Sequence, residues 1–410
     1  MTRLRSFERL AGYVSDALVT AGFGLFITLV AAQSASLADF GEFSLVLALV
    51  SMQTALAAFG LPSLLYGRAA SRPIVAKRFI GSVIFISLFI ALAMYLLTLF
   101  GLLLFADGTL TLLYGCAGLR ILGTFGTLMT QDAMARHALS EFLPVRLIIA
   151  SIAVATATVA FFLGLPLYVI ALIWGGESLC FAVVLLLTQI RHRAKLDRRN
   201  LFAPYLVKAA PFAIQSIFVV IYMRFDQVYV AWRFGDEALG LYAAAARVSE
   251  LGNLGFGIIG LLISPSVITQ MMGARKLNRD MRHIFIGIAF LTAAAVVTAW
   301  AVGGLLMQTL FGSAYASGGL ILTTYLGSVC FVVYGSIGSR VLAARGNSLP
   351  LVWAGFIGAV SNVIFSVALA EVIGLEGVAL ATVLSYALST WTIWLFIRSP
   401  IGFYPVIKRA

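Results

Sequence analysis

Twelve apolar runs, each long enough for a helix to cross a bilayer, follow one another along the chain with only short polar breaks between them. They lie near 10–32, 41–66, 79–104, 110–135, 145–163, 167–190, 205–232, 238–265, 284–307, 317–340, 349–370 and 376–397. Lipid offers the backbone no hydrogen-bond partner, so a spanning segment must be a helix or part of a closed barrel. Runs of ~20 residues are the helical length, about twice that of a barrel strand. The expected fold class is therefore all-α: a polytopic membrane protein with twelve transmembrane helices. Composition agrees, since 61% of the 410 residues are apolar and 11% are charged, against roughly 45–50% and 25% in a soluble domain. That balance excludes a cytosolic enzyme, a disordered regulator and a secreted disulfide scaffold. The first run exceeds the apolar core of a signal peptide and no cleavage-like end follows it, so it reads as a span.

A net charge of +12 would suggest nucleic acid in a soluble protein, but here the placement of the charges points elsewhere. With the N-terminus cytoplasmic, the N-terminal segment, the breaks after spans 2, 4, 6, 8 and 10, and the C-terminus share one side. Of the 28 basic residues, the only ones outside those segments are Arg120, Arg224, Arg233 and Arg247. Arg146 counts with the break after span 4, and Arg340 and Arg345 with that after span 10. The opposite breaks hold Arg233 with Asp39, Glu42, Asp107, Asp236, Glu237, Glu371 and Glu376. This positive-inside alternation holds at every break and puts both termini in the cytoplasm. The basic loops then face anionic lipid headgroups, and no nucleic-acid partner is expected.

The longest break, 191–204, divides the chain into six spans and six: an N-terminal lobe at 1–190, a basic cytoplasmic linker, and a C-terminal lobe at 205–410. The halves echo each other. Phe40-Gly41-Glu42-Phe43 at the start of span 2 matches Leu239-Gly240-Leu241-Tyr242 at the start of span 8, and Leu163-Gly164-Leu165 matches Ile373-Gly374-Leu375. Six spans per half gives the two lobes the same orientation, as parallel repeats. Glycines gather at Gly115, Gly118, Gly123 and Gly126, and at Gly252, Gly255, Gly257 and Gly260. Small residues there let helices approach closely in lipid. Pro62 falls near one end of span 2, and Pro265 is expected to end span 8.

A charge at a helix centre costs ~2.5–3.5 kcal/mol on insertion scales, so those that remain pair with one another or face water. Arg120 lies ~15 Å into span 4 at ~1.5 Å per residue, with no acidic residue within a turn of its own helix. It is the leading candidate for a cation that binds an anion, with Arg224 in span 7 and Arg247 in span 8 beside it. Asp16, Glu177, Asp226 and Glu250 are the candidates for coupling or gating. Arg247 and Glu250 are three apart, so they share a helical face and can neutralise each other. Asp226 is placed to pair with Arg224 or Arg247. Asp132 and Arg340, near helix ends, are expected to snorkel to the interface.

Cys116, Cys180 and Cys330 lie inside apolar runs and read as small core hydrophobes, while His137, His192 and His283 sit beside basic residues. No Cys/His spacing suits zinc, and no cofactor is expected beyond coupling to a proton or sodium gradient. No G-x-x-x-x-G-K-[ST] loop occurs, and no break is long enough for a soluble catalytic domain, so the chain is not expected to be an enzyme.

The residues at the starts of the lobes resemble a known family. Leu37-Ala38-Asp39-Phe40-Gly41-Glu42-Phe43-Ser44 followed by Phe59-Gly60-Leu61-Pro62, and Arg224-Phe225-Asp226-Gln227 followed by Gly235-Asp236-Glu237-Ala238-Leu239-Gly240-Leu241-Tyr242-Ala243-Ala244-Ala245, are similar to the polysaccharide-transporter branch of the MOP superfamily, the Wzx-type oligosaccharide flippases. The resemblance covers the whole chain. It implies a MATE-like, V-shaped bundle of two six-helix lobes in the bacterial inner membrane, alternating between inward- and outward-open states. Its substrate would be an undecaprenyl-diphosphate-linked oligosaccharide moved to the external leaflet, and its partners that lipid, anionic membrane lipids and other polysaccharide assembly proteins. Cations such as Arg120, Arg224 and Arg247 would meet the diphosphate. The chain departs from members with fourteen spans, which removes the basis for a lipid-tail groove built from two extra helices.

Three alternatives compete. A MATE-like drug or cation antiporter would use Asp16, Asp226 and Glu250 for a cation. A major-facilitator transporter also has six and six spans, but Gly67-Arg68-Ala69-Ala70-Ser71-Arg72 lacks that family's loop after span 2. A membrane-embedded polysaccharide enzyme would need clustered carboxylates or a histidine at one membrane face, whereas the acids here are spread over separate helices.

Overall fold

The computed structural model describes residues 2–62, 65, 73–135, 139–192, 202–273, 279–345 and 349–398, and every regular element among them is helical. In chain order these are α1 (Thr2–Ser34), α2 (Leu37–Ala58), α3 (Pro73–Phe105), α4 (Gly108–Ala117), α5 (Leu119–Leu122), α6 (Thr124–Ala135), α7 (Leu139–Phe162) and α8 (Leu167–His192). There follow α9 (Phe202–Phe234), α10 (Asp236–Gly273), α11 (Arg279–Phe311), a 3-10 turn at Ser313–Gly318, α12 (Gly319–Leu326), α13 (Val329–Ala344), α14 (Leu349–Ile373) and α15 (Leu375–Arg398).

Among the described residues eleven segments are long and apolar enough to cross a membrane. The twelfth expected span is α10, 38 residues long. Large apolar side chains cover the outside of the bundle, as on α3 at Phe85, Phe89, Leu97, Phe100 and Phe105. A soluble protein would hide such a face; a chain solvated by lipid tails turns it outward. The protein is a multi-pass membrane protein.

The chain forms two compact units, Met1–Ile217 and Phe218–Ala410. The sequence puts the division at 191–204, of which 193–201 lie outside the described residues. The first turns of α9 belong to unit 1 because they pack there. Ala209 joins the core of Leu61, Val83, Phe125, Leu128 and Phe181. Gly60, with φ +64, brings its backbone so close to Phe212 and Ala213 that a Cβ would lie 2.5 Å from the Ala213 nitrogen. Unit 2 has its own core of Val267, Val333, Ile337, Val341, Leu351, Ile393 and Ile397.

The repeats seen in the sequence have structural counterparts. Gly41 and Gly240 are each the fifth residue of their helix, and the residues around them, Phe40, Phe43, Leu239 and Tyr242, are fully buried. Gly164 and Gly374 both turn the chain in the left-handed region, with φ of +61 and +77, where glycine meets no steric penalty.

Spans 4 and 10 are not continuous helices. Span 4 is α4, α5 and α6, broken at Gly118 and Gly123, and span 10 is α12 and α13, broken at Gly327 and Ser328. The glycines of span 4 also act as contact surfaces: a Cβ on Gly126 would lie 2.8 Å from Ala182 Cβ. On α10, Gly252 and Gly260 face Leu326 and Val333, while Gly255 and Gly257 meet nothing within 4 Å. Pro265 does not end its helix, which continues to Gly273.

Candidate functional site

In unit 1 the backbones of spans 4 and 6 touch through glycine. A Cβ on Gly175 would lie 2.6 Å from the Cys116 carbonyl oxygen, and one on Gly123 would lie 2.9 Å from the Ser178 carbonyl carbon. This approach brings together Arg120, on the four-residue α5 between the two breaks, and Glu177 of α8. Arg120 Nη1 lies 3.6 Å from Glu177 Oε2, donates to the Trp174 carbonyl at 3.3 Å, and its guanidinium stacks 4.4 Å over the Trp174 ring. The acid that Arg120 lacks on its own helix is supplied by a neighbouring one, and two separately chosen candidates prove to be partners.

The same glutamate holds a second arginine. Arg146 Nη1 lies 3.3 Å from Glu177 Oε1, and Arg146 Nε lies 3.9 Å from Asp16 Oδ1 of α1. Arg146 also donates to Thr20 Oγ1 at 2.9 Å and stacks over Phe181. Its side chain is 9% exposed and that of Glu177 is 1%. The sequence expectation that Arg146 is a loop residue facing headgroups is thus corrected: it stands inside α7, on the face turned to α1 and α8. Charge counting cannot distinguish a basic residue near a helix end that faces lipid headgroups from one that faces the bundle. Asp132 is likewise fully buried rather than snorkelling. Arg345, read as a loop residue, is buried and donates to the Ile397 carbonyl at 2.9 Å.

Unit 2 gathers its charges on spans 7 and 8. Arg247 Nη1 lies 2.8 Å from Glu250 Oε2, the expected pair on one helical face. Arg224 of α9 lies 3.0 Å from Glu250 Oε1. Each carboxylate oxygen therefore serves one guanidinium. The arginine side chains are 13% and 19% exposed, while the glutamate between them is 38% exposed.

Asp226, two residues from Arg224, is fully buried. Its Oδ2 accepts hydrogen bonds from Tyr242 at 2.9 Å, from Tyr325, and from Thr382 Oγ1 at 3.3 Å, and its Oδ1 accepts the Gln227 amide at 2.8 Å. Asn362 donates to Thr382. Spans 7, 8, 10 and 12 thus converge on one carboxylate, and span 11 reaches it through Thr382. Nearby on α14, Asn362 Oδ1 and Ser366 Oγ are buried without a hydrogen-bond partner among the described residues. The hydrogen-bond donors to Asp226 are hydroxyls and a backbone amide, and Arg224, one of the two arginines expected beside it, acts on it electrostatically. The sequence reading missed Tyr242, Tyr325, Asn362 and Thr382, since a tyrosine or threonine in an apolar run carries no signal of what it faces. Among the described residues no three His, Cys, Asp or Glu side chains gather as for a metal ion.

Comparison with known proteins places this geometry. The family described as polysaccharide biosynthesis protein matches residues 13–265. No curated protein matches by sequence. Among solved structures the chain is similar to the lipid II flippase MurJ in an inward closed conformation, with a TM-score of 0.73 at 16% identity over 96% of this chain and 90% of that one. A multidrug resistance MATE family transporter of the MOP superfamily, inward-facing, gives 0.66 at 16% identity over 93% and 94%. A MOP superfamily transporter from Pyrococcus furiosus, described as having a binding pocket of reversed polarity, gives 0.69 at 13% identity over 96% and 94%. These likenesses establish the MOP fold.

Proposed function

The chain belongs to the polysaccharide biosynthesis protein family, and from that premise we propose that it flips a polyprenyl-diphosphate-linked oligosaccharide from the cytoplasmic to the external leaflet of the bacterial inner membrane by alternating access. The observation that carries this reading is the Arg224–Glu250–Arg247 triad. A diphosphate crossing a low-dielectric region needs more than one cation, and guanidinium groups match phosphate oxygens in geometry as well as charge. Two arginines converging on one accessible carboxylate already have the spacing to grip two oxygens of one anion. Arg120, 22% exposed beside Glu177, is the candidate anion-binding cation of unit 1. Likeness to a lipid II flippase fits a lipid-linked saccharide as cargo. Asp226, with its ring of hydroxyls, is the proposed coupling position for a proton or sodium ion; Asp16, Glu177 and Glu250 are held by arginines.

The test is depletion of the protein in cells, followed by lipid extraction and leaflet-specific labelling. Lipid-linked oligosaccharide accumulates in the cytoplasmic leaflet and surface polysaccharide is lost if the reading holds. Unchanged glycolipid with altered drug efflux would favour the antiporter, the second reading, to which the buried Asp226 is also suited. An intermediate that reaches the outer leaflet incomplete would point to an enzyme.

A further inference from the structure

We propose that Glu250 is an internal stand-in for the substrate's phosphate: it neutralises Arg224 and Arg247 while the carrier is empty and is displaced when a diphosphate binds. The inference rests on the proposed phosphate reading of this site and assigns a role to its one acidic member. Three observations support it. First, Glu250 engages its arginines as a phosphate would, one oxygen to each guanidinium, at 3.0 and 2.8 Å. Second, the carboxylate is the exposed member of the triad and the guanidiniums are the covered ones, so an arriving anion meets Glu250 before its arginines are uncovered. Third, an acceptor is left over. Among the described residues Asn253 Oδ1, one turn along α10 from Glu250, is buried without a hydrogen-bond partner. An acceptor left over one turn from the triad is what a hydroxyl-bearing sugar following the phosphate would use. Beyond Asn253 the same helix presents Gly257, with nothing within 4 Å of a Cβ placed there.

The physical need is plain for a carrier that must return empty. Two covered guanidiniums with no counter-charge pay a large desolvation penalty, and that penalty would hold the protein in whichever state lets water reach them. A tethered carboxylate removes it without competing as strongly as a second bound anion. The consequence is that Glu250 lowers affinity for the substrate while permitting turnover.

The test uses the full-length protein in nanodiscs, with undecaprenyl diphosphate and inorganic pyrophosphate as probes, and flipping assayed in liposomes. Glu250→Gln is expected to tighten both dissociation constants about tenfold or more, on the scale of one opposing charge removed at contact distance, while the flipping rate falls. Glu371→Gln, an equal change of charge at an exposed pair, leaves both constants unchanged. In Glu250→Ala, millimolar formate restores flipping by supplying the missing carboxylate. In the wild type, pyrophosphate shifts a carboxylate stretch in the infrared difference spectrum, a readout that needs no variant. Unchanged or weaker binding by Glu250→Gln, no rescue by formate, or no carboxylate shift would each overturn the stand-in role. If wild type and variants alike fail to bind either probe, the phosphate reading itself falls, and this inference with it.

Discussion

Each unit of the protein holds one glutamate between two arginines, yet the two triads share neither position nor exposure. Unit 1 builds its triad from spans 4, 5 and 6, with Asp16 of span 1 beside it; unit 2 builds its own from spans 7 and 8. When Gly41 is matched with Gly240, Arg224, Asp226, Arg247 and Glu250 fall where unit 1 has Leu25, Ile27, Ala48 and Ser51. When Gly164 is matched with Gly374, Arg146 and Glu177 fall where unit 2 has Phe356 and Ala387. The scaffold is repeated and the charges are not. Helix starts, left-handed glycine turns and buried aromatics at span starts are conditions for packing a six-helix unit, so both halves keep them. Intramembrane charges are costly, so they stand only where a unit has a task for them. The exposures indicate what each task is: Glu177 is sealed at 1%, whereas Glu250 is open at 38%.

That contrast is broken most directly at Glu177. Glu177→Ala leaves Arg120 and Arg146 without their shared counter-charge. Removing one partner of a buried ion pair typically costs ~3–5 kcal/mol, a large share of the stability of one unit. The expected outcome is little folded protein in the membrane, measured by fluorescence-detected size exclusion and thermal melting. Near-normal accumulation would mean that the unit 1 triad is not a structural centre, and the distinction between the units would collapse.

Arg224→Gln is expected to spare the fold and slow transport. The charge-assisted contact it makes with an anion is worth ~1.5–3 kcal/mol, roughly one to two factors of ten in export rate. Liposome flipping and cellular polysaccharide levels both report it. Arg120→Ala is the sharper probe, because it leaves Glu177 with Arg146. Transport is expected to be lost while membrane insertion is retained, and wild-type export would remove Arg120 from the site.

Asp226→Asn should act differently from either. The amide keeps an acceptor for Tyr242 and Tyr325 but carries no charge, so assembly survives while dependence of transport on an imposed proton or sodium gradient disappears. Gradient dependence identical to that of the wild type would place coupling elsewhere.

How much of this was legible in the sequence follows from what each signal encodes. Span number and lobe repetition are written in long-range periodicity and in glycines with conformational duties, and the structure returns Gly41, Gly164, Gly240 and Gly374 in matching places. The pair Arg247/Glu250 was legible because both members lie on one helix at a spacing that fixes their geometry. The Arg120–Glu177 pair was not, since it depends on how deeply spans 4 and 6 interlock at Gly123 and Gly175. Arg146 was misplaced because its position near a helix end satisfies the topology rule and the ion cluster alike. The hydroxyls around Asp226 gave no sign at all, because facing is decided by packing that a single sequence does not display.

The smallest effect is expected at the ion pair that belongs to neither triad. Arg233 of α9 and Glu371 of α14 meet at 3.2 Å, with side chains 47% and 59% exposed. Water and salt screen such a pair, and both long side chains lose freedom in forming it, so it is worth roughly 0–1 kcal/mol. Replacing both residues with alanine should leave the melting temperature nearly unchanged and the flipping rate within error, at low and at high ionic strength. The comparison gains from this null result. If charge pairing in general stabilised the fold, the surface pair would behave as a weaker copy of Glu177 and its arginines, with an effect that fades as salt is added. If exclusion from water is what makes the unit 1 triad structural, distance alone counts for little, and a pair at 3.2 Å in the open contributes less than Arg146 and Glu177, 3.3 Å apart with side chains 9% and 1% exposed.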